Sequence, residues 1–208
     1  MNRGTINILI IGVGGQGVLL ASEIAAVTFA MAGYDVKMSA AGGISQRGGT
    51  VYSHIRIGEK IYSPLIPAGK ADILVAMELS EISGWLRYLK KQCLVILLNK
   101  QILSRKITSG LYKYIDNLKD EVRIRCKRVL EITYNEIDRD FKNRKTANIF
   151  MLGALSNYFS VRKEYWLKAI KEKVSFQMRD LNLASFDLGR RKFRDNSVFK
   201  DVRRKMKR

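Results

Sequence analysis

The stretch INILIIGVGGQG, residues 6–17, restricts the fold more than any other in the chain. Ile6–Ile11 is a short apolar run closed by Gly12, the pattern of a buried strand. From Val18 to Met31, Leu20, Ile24, Val27 and Met31 recur at helical spacing, with Ala21, Ala25 and Ala26 small enough to let that helix lie close on a sheet. Gly33 ends it, and Asp35–Ser39 reads as a second strand. Strand, glycine turn, helix, strand is one βαβ unit. It predicts parallel pairing of the two strands through a right-handed crossover.

Between the first strand and the helix, Gly12-Val13-Gly14-Gly15-Gln16-Gly17 satisfies G-x-G-x-x-G. Glycines let a backbone turn tightly and bring its N–H groups near an anion, and the following helix adds its positive N-terminal end. A dinucleotide site also needs an acid at the end of the second strand to hold a ribose hydroxyl. That strand ends Lys37-Met38-Ser39-Ala40, and Asp35 lies at its beginning. Three readings stay open on these residues: NAD or FAD binding, binding of another phosphate-bearing ligand such as a coenzyme diphosphate, and close packing with the glycines toward a partner chain.

A second glycine loop, Gly42-Gly43-Ile44-Ser45-Gln46-Arg47-Gly48-Gly49, follows the second strand. In an open parallel sheet it falls at the same edge as the first. Together the loops offer backbone donors, the Gln16 and Gln46 amides, the Ser45 hydroxyl and the Arg47 fork, which suits phosphate or carboxylate. Ser45 and His54, the only histidine, do not form a nucleophile–base pair by spacing; His54 sits within the period-two strand VYSHIRI and reads as a hydrogen-bonded structural residue. No catalytic residue is expected in this chain.

Further on, Gly58-Glu59-Lys60 turns the chain into Ile61-Tyr62-Ser63, which reads as the second arm of a hairpin, and Pro64 and Pro67 stiffen SPLIP. DILVAM (72–77), CLVILL (93–98) and Val122–Cys126 read as strands; 80–91, 146–160 and 163–174 read as helices. The fold class is α/β: a Rossmann-like, mainly parallel sheet with helices on both faces and an inserted antiparallel hairpin.

The 208 residues suit one domain, residues 1–189, with a basic C-terminal tail, 190–208. The net charge is +19; the tail holds ten Lys/Arg against two Asp, leaving +11 for the rest. Such a tail can hold nucleic acid or acidic lipid, but a solvated end or an arm docking on an acidic partner subunit is the expected role, and nucleic acid is not the expected partner. No apolar run reaches the roughly 18 residues of a membrane span, and no leader-like segment opens the chain, so a cytoplasmic location is expected. Cys93 and Cys126 imply no disulfide framework and cannot by themselves hold an iron–sulfur cluster or zinc; each reads as a buried structural residue, and no metal site is expected.

The ordered set GVGGQG, SQRGGTVYSHIRIG, IYSPLIPAGKADILVAMELSE and ANIFMLGAL resembles the gamma domain of the 2-oxoacid:ferredoxin oxidoreductases over roughly residues 5–180, with the nearest likeness to the small subunit of the indolepyruvate type. The resemblance implies a non-catalytic subunit, inactive alone, of a complex that oxidatively decarboxylates an aryl pyruvate to an acyl-CoA and reduces ferredoxin. It places thiamine diphosphate, magnesium and the 4Fe-4S clusters in a large alpha partner subunit. Coenzyme A is then a co-substrate, and this chain binds no cofactor alone. Matched by position, Gly12, Gly14, Gly15, Gln16 and Gly17 form the first loop, Ser45, Gln46, Arg47, Gly48 and Gly49 the second, and Asn148 the late helix start. The competing reading is a stand-alone nucleotide-binding Rossmann-like protein or NAD(P)-dependent oxidoreductase, which the missing ribose acid argues against.

Overall fold

The computed structural model describes residues 4–42, 49–99, 109–141 and 144–199. Six strands form one sheet: β1 (Ile6–Val13), β2 (Asp35–Ala41), β3 (Thr50–Gly58), β4 (Ala71–Ala76), β5 (Leu89–Asn99) and β6 (Arg128–Thr133), in the spatial order β2-β3-β1-β4-β5-β6. β1, β4, β5 and β6 run parallel; β3 is antiparallel to both β1 and β2. The expected α/β architecture is present, with helices on both faces.

The alternation of buried residues explains the layering. Ile8 and Ile10 of β1, Ile73 and Val75 of β4, and Leu94 and Ile96 of β5 face one core, roofed by α1 (Val18–Met31), α4 (Ala147–Leu155), α5 (Lys163–Lys173) and α6 (Arg179–Lys192). Their neighbours Leu9, Ile11, Leu74, Ala76, Val95 and Leu97 face a second core with Ile82 of the 3-10 segment Leu79–Tyr88 and with Leu118 and Val122 of α2 (Ser109–Arg125). Strands covered on both faces read as near-continuous apolar runs, which is why they were legible. A short α3 (Tyr134–Phe141) links β6 toward α4.

Several expectations are corrected. The strands β1 and β2 are parallel but do not pair; β3 lies between them, with Val13 opposite Thr50 and Ala41 opposite Tyr52. The antiparallel pair is therefore β2–β3. Residues 61–63 are not a strand. They are held by side chains instead: the Ile61 N–H donates to Asp35 Oδ2 at 2.7 Å, and Arg56 Nη1 donates to the Ser63 and Leu65 carbonyls. Pro64 and Pro67 lack the N–H groups a ladder needs.

Val122–Cys126 is not a strand but the end of α2. Leu118, Val122 and Cys126 are buried at every fourth residue, and the Cys126 N–H reaches the Val122 carbonyl at 2.7 Å. The expected helix over 80–91 is the shorter 3-10 segment, and β5 starts at Leu89. The two cysteines are buried as expected, but they are joined: Cys93 at the buried start of the apolar part of β5 meets Cys126 just past α2, with Cα atoms 5.3 Å apart, in a disulfide. The basic stretch starts inside α6, and Phe193 and Phe199 are buried in the first core. No helix among the described residues is long and apolar enough to cross a membrane.

Candidate functional site

The first glycine loop lies where β1 leaves the sheet and α1 begins. Gln16 organises it: its Oε1 accepts the Val13 N–H at 2.9 Å, and its Nε2 donates to Glu78 Oε2 at 3.0 Å, just past β4. Gly12 is in close contact with the same side chain; a Cβ there would meet Gln16 Oε1 at 2.6 Å. The Gly14 N–H donates to the Gly49 carbonyl at 2.9 Å, so the first loop is tied to the end of the second. Ser45, Gln46, Arg47 and Gly48 lie outside the described residues.

Gly17 caps α1 in the left-handed conformation, φ 76°. Its carbonyl accepts both the Ala21 N–H at 3.0 Å and Asn148 Nδ2 at 3.2 Å. A Cβ on Gly17 would lie 2.3 Å from Asn148 Nδ2. Only glycine fits both the backbone angle and the contact. Thus Asn148, 131 residues later in the chain, locks the start of α4 onto the start of α1. The side chain is 4% exposed, and its Oδ1 has no hydrogen-bond partner.

These two helix starts border a cavity of about 190 Å³. Gly15, Gln16, Asn148, Tyr134 and Lys145 line it, with Met77 and Leu98 among its apolar residues. Neither α1 nor α4 has a side-chain cap or an acidic residue in its first turn. Two helix N-termini and a lysine at its edge are features that favour an anion. The buried Asn148 Oδ1 adds an acceptor, which fits a ligand that also carries a donor. The cavity thus joins Gly15 and Gln16, which the sequence pattern pointed to, and Asn148, which the resemblance pointed to, with Tyr134, Lys145, Met77 and Leu98, which neither did. Lys145 had one faint signal, a basic residue just ahead of an apolar helix start.

The ribose-binding acid of a dinucleotide site is missing from its place. Asp35 is at the far end of β2, opposite Gly58, where its carboxylate accepts the Ile61 N–H and pairs with Lys37 at 3.2 Å. These contacts, the Ile61 N–H first, hold its pKa below the ordinary value. No cluster of three or more metal-ligating side chains exists among the described residues.

His54 is a structural residue, as expected. It is 4% exposed, its Nδ1 accepts the Ile66 N–H at 3.1 Å, and Tyr52, Trp85 and Tyr88 surround it at ring distances of 5.6–5.9 Å. Burial pushes its pKa below the ordinary 6.5. Between the two values the unfolded chain binds the proton and the folded chain does not. This contribution to stability is complete above pH 6.5 and declines as pH falls below it. The expected result is a urea midpoint that drops between about pH 7.5 and 5.5, and a smaller drop in His54→Asn, whose amide oxygen can still accept the Ile66 N–H. Identical pH profiles would contradict this role.

Residues 7–192 match the pyruvate ferredoxin/flavodoxin oxidoreductase family. This chain belongs to that family. Among its relatives are the indolepyruvate oxidoreductase subunits IorB of Archaeoglobus fulgidus, 36% identical, and of Thermococcus kodakarensis, 32% identical; each alignment covers 88% of this chain and 93% of the relative. Solved structures agree on the fold. The gamma subunit of a keto/oxoacid ferredoxin oxidoreductase from Geobacter sulfurreducens superposes with a TM-score of 0.66 at 24% identity, over 91% of this chain and 97% of that one. The 2-oxoglutarate:ferredoxin oxidoreductase from Magnetococcus marinus, solved with 2-oxoglutarate, coenzyme A and succinyl-CoA, superposes with a TM-score of 0.68 at 17% identity, over 93% of this chain but only 32% of that one. The pyruvate ferredoxin/flavodoxin oxidoreductase fold of this chain is thus a unit that in one relative is part of a much longer polypeptide. In others it is a subunit of similar length to this chain. The stand-alone nucleotide-binding reading is not favoured.

Proposed function

We propose that this chain is the small subunit of an indolepyruvate-type ferredoxin oxidoreductase and that its glycine-loop cavity receives a phosphate-bearing part of coenzyme A. In this reading a large alpha subunit holds the thiamine diphosphate, the magnesium ion and the 4Fe-4S clusters, and ferredoxin takes the electrons from the complex. The 2-oxoacid, an aryl pyruvate, is decarboxylated in that partner, and the acyl group leaves as its coenzyme A thioester. Gly12, Gly14, Gly15, Gln16 and Gly17 shape the first wall of the coenzyme site. Ser45, Gln46, Arg47, Gly48 and Gly49 supply the second, and Asn148 ties the two helix starts together.

One observation carries the site assignment: a cavity between two uncapped helix N-termini, with Lys145 beside it and a buried, unpartnered Asn148 oxygen. A diphosphate or phosphate monoester matches that charge, and the adjoining amide or adenine groups of a coenzyme match the acceptor. The test is steady-state kinetics on the assembled complex. Arg47→Ala and Lys145→Ala should each raise the apparent KM for coenzyme A about tenfold, roughly 1.4 kcal/mol of lost ground-state binding, with little change in KM for the 2-oxoacid. Unchanged coenzyme A kinetics in both variants, with the complex intact, would sink the site. A loss of assembly without a change in KM would show that the loops face the partner instead.

A further inference from the structure

At the opposite end of α4 from the glycine loops, the structure holds a larger concavity of about 450 Å³. Asn157, within the 3-10 turn Ser156–Tyr158 that follows α4, and Phe159, just past it, form one side, and Lys163 at the first turn of α5 forms another. The third is one face of α6 and its exit: Asp187, Arg190, Arg191 and Arg194, spaced at i, i+3, i+4 and i+7. Ten residues separate Ala147 from Asn157, about 15 Å at helical rise, so the two cavities are separate places.

Basic residues at a helix C-terminus are commonly a solvated end that offsets the helix dipole. Two observations raise this group above that. The cleft carries four cations against one carboxylate, a formal +3 in a space of small-ligand size. Its parts are held in place: Arg190 Nη1 donates to Ser156 Oγ at 2.6 Å, Asn157 Nδ2 donates to the Arg190 carbonyl at 2.9 Å, and Lys163 Nζ is 2.8 Å from Asp187 Oδ1. Guanidinium forks at fixed positions suit the paired oxygens of a polyphosphate.

We propose that this cleft is a second anion site, one that binds a small di- or triphosphate, and that it is independent of the glycine-loop cavity. Pyrophosphate and nucleoside triphosphates share this chemistry. A nucleotide would place its phosphates among Arg190, Arg191 and Arg194. An anion that binds the folded chain and not the unfolded one stabilises the fold by mass action, so occupancy should raise stability.

Isothermal titration and thermal melts of the full chain with sodium pyrophosphate and, separately, ATP test this. The expected result is saturable binding of pyrophosphate, weakened by added salt, and a Tm raised by roughly 5 °C at saturation. Arg191→Glu should weaken that binding at least tenfold. Lys171→Glu, which makes the same charge change at an exposed position farther along α5, should alter it less than threefold. Tighter binding of ATP than of pyrophosphate would identify a nucleotide as the occupant; equal binding would identify the phosphates alone. Four results overturn the proposal: no binding at millimolar pyrophosphate, equal weakening by both charge reversals, binding lost on deleting 200–208 but kept in Arg191→Glu, or a partner complex that Arg191→Glu dissociates while pyrophosphate binding is unchanged. The last would assign the cleft to an acidic stretch of the partner.

Discussion

Replacing Gly189 by Ala should destabilise the chain by at least about 2 kcal/mol, although the substitution improves helix propensity by about 1 kcal/mol. The two effects oppose each other, and the packing decides. α4 and α6 cross with their backbones in contact: a Cβ on Gly189 would lie 2.1 Å from the Phe150 carbonyl oxygen, and one on Gly153 would lie 2.2 Å from that of Phe186. Neither obstacle is a side chain that can rotate away. The helices must separate, which opens the core around Phe150 and Phe186, both fully buried. For a chain of this size the loss corresponds to a Tm lowered by roughly 4–8 °C or more. Gly84→Ala, where nothing lies within 4 Å of an added Cβ, should stay within about 0.5 kcal/mol of the parent. If Gly189→Ala melts with the parent, the close crossing is wrong.

The second large effect is expected at Trp166. It is fully buried on α5, with its ring 5.6 Å from Phe29 of α1 and 5.8 Å from Phe186 of α6. Three helices meet on this one side chain. Trp166→Ala removes the contacts and leaves a cavity, a change that costs about 3–5 kcal/mol and consumes much of the 5–15 kcal/mol typical of a folded domain. Trp166→Phe should cost much less than its loss of area suggests. The indole Nε1 is buried with no hydrogen-bond partner, so the wild-type residue already carries a desolvation penalty that phenylalanine does not. Urea unfolding of both variants checks this. A Trp166→Phe loss that exceeds what its lost contact area accounts for would contradict the unpartnered Nε1.

What the sequence showed and what it hid follows from particular residues. β1, β4 and the apolar part of β5 are buried on both faces, so their apolar runs were plain. Gly12–Gly17 announced the turn by composition alone. The place of β3 between β1 and β2 was hidden, because side-chain periodicity says which face a residue takes and nothing about which backbone it pairs with. Val122-Arg123-Ile124-Arg125-Cys126 alternates over five residues, too short a window to reveal the four-residue spacing from Leu118 that makes it helical. α6 escaped because its buried face is Asn182, Ser185, Phe186 and Gly189, of which only Phe186 is a large apolar residue that periodicity could register. In the candidate site, Asn148 was reached only through the resemblance of ANIFMLGAL. Tyr134, Lys145, Met77 and Leu98 come from the ends of separate elements, with no common spacing to mark them.

The family assignment and the proposed coenzyme site both treat this chain as one part of a larger catalyst. The most direct measurement is reconstitution. The purified chain is assayed for 2-oxoacid-dependent, coenzyme A-dependent reduction of ferredoxin, alone and after co-expression with a large thiamine diphosphate- and iron–sulfur-containing partner subunit. The account predicts no activity and no iron–sulfur absorption from the chain alone, and both from the complex. Activity from the isolated chain, or full activity of the large subunit without it, would contradict the account.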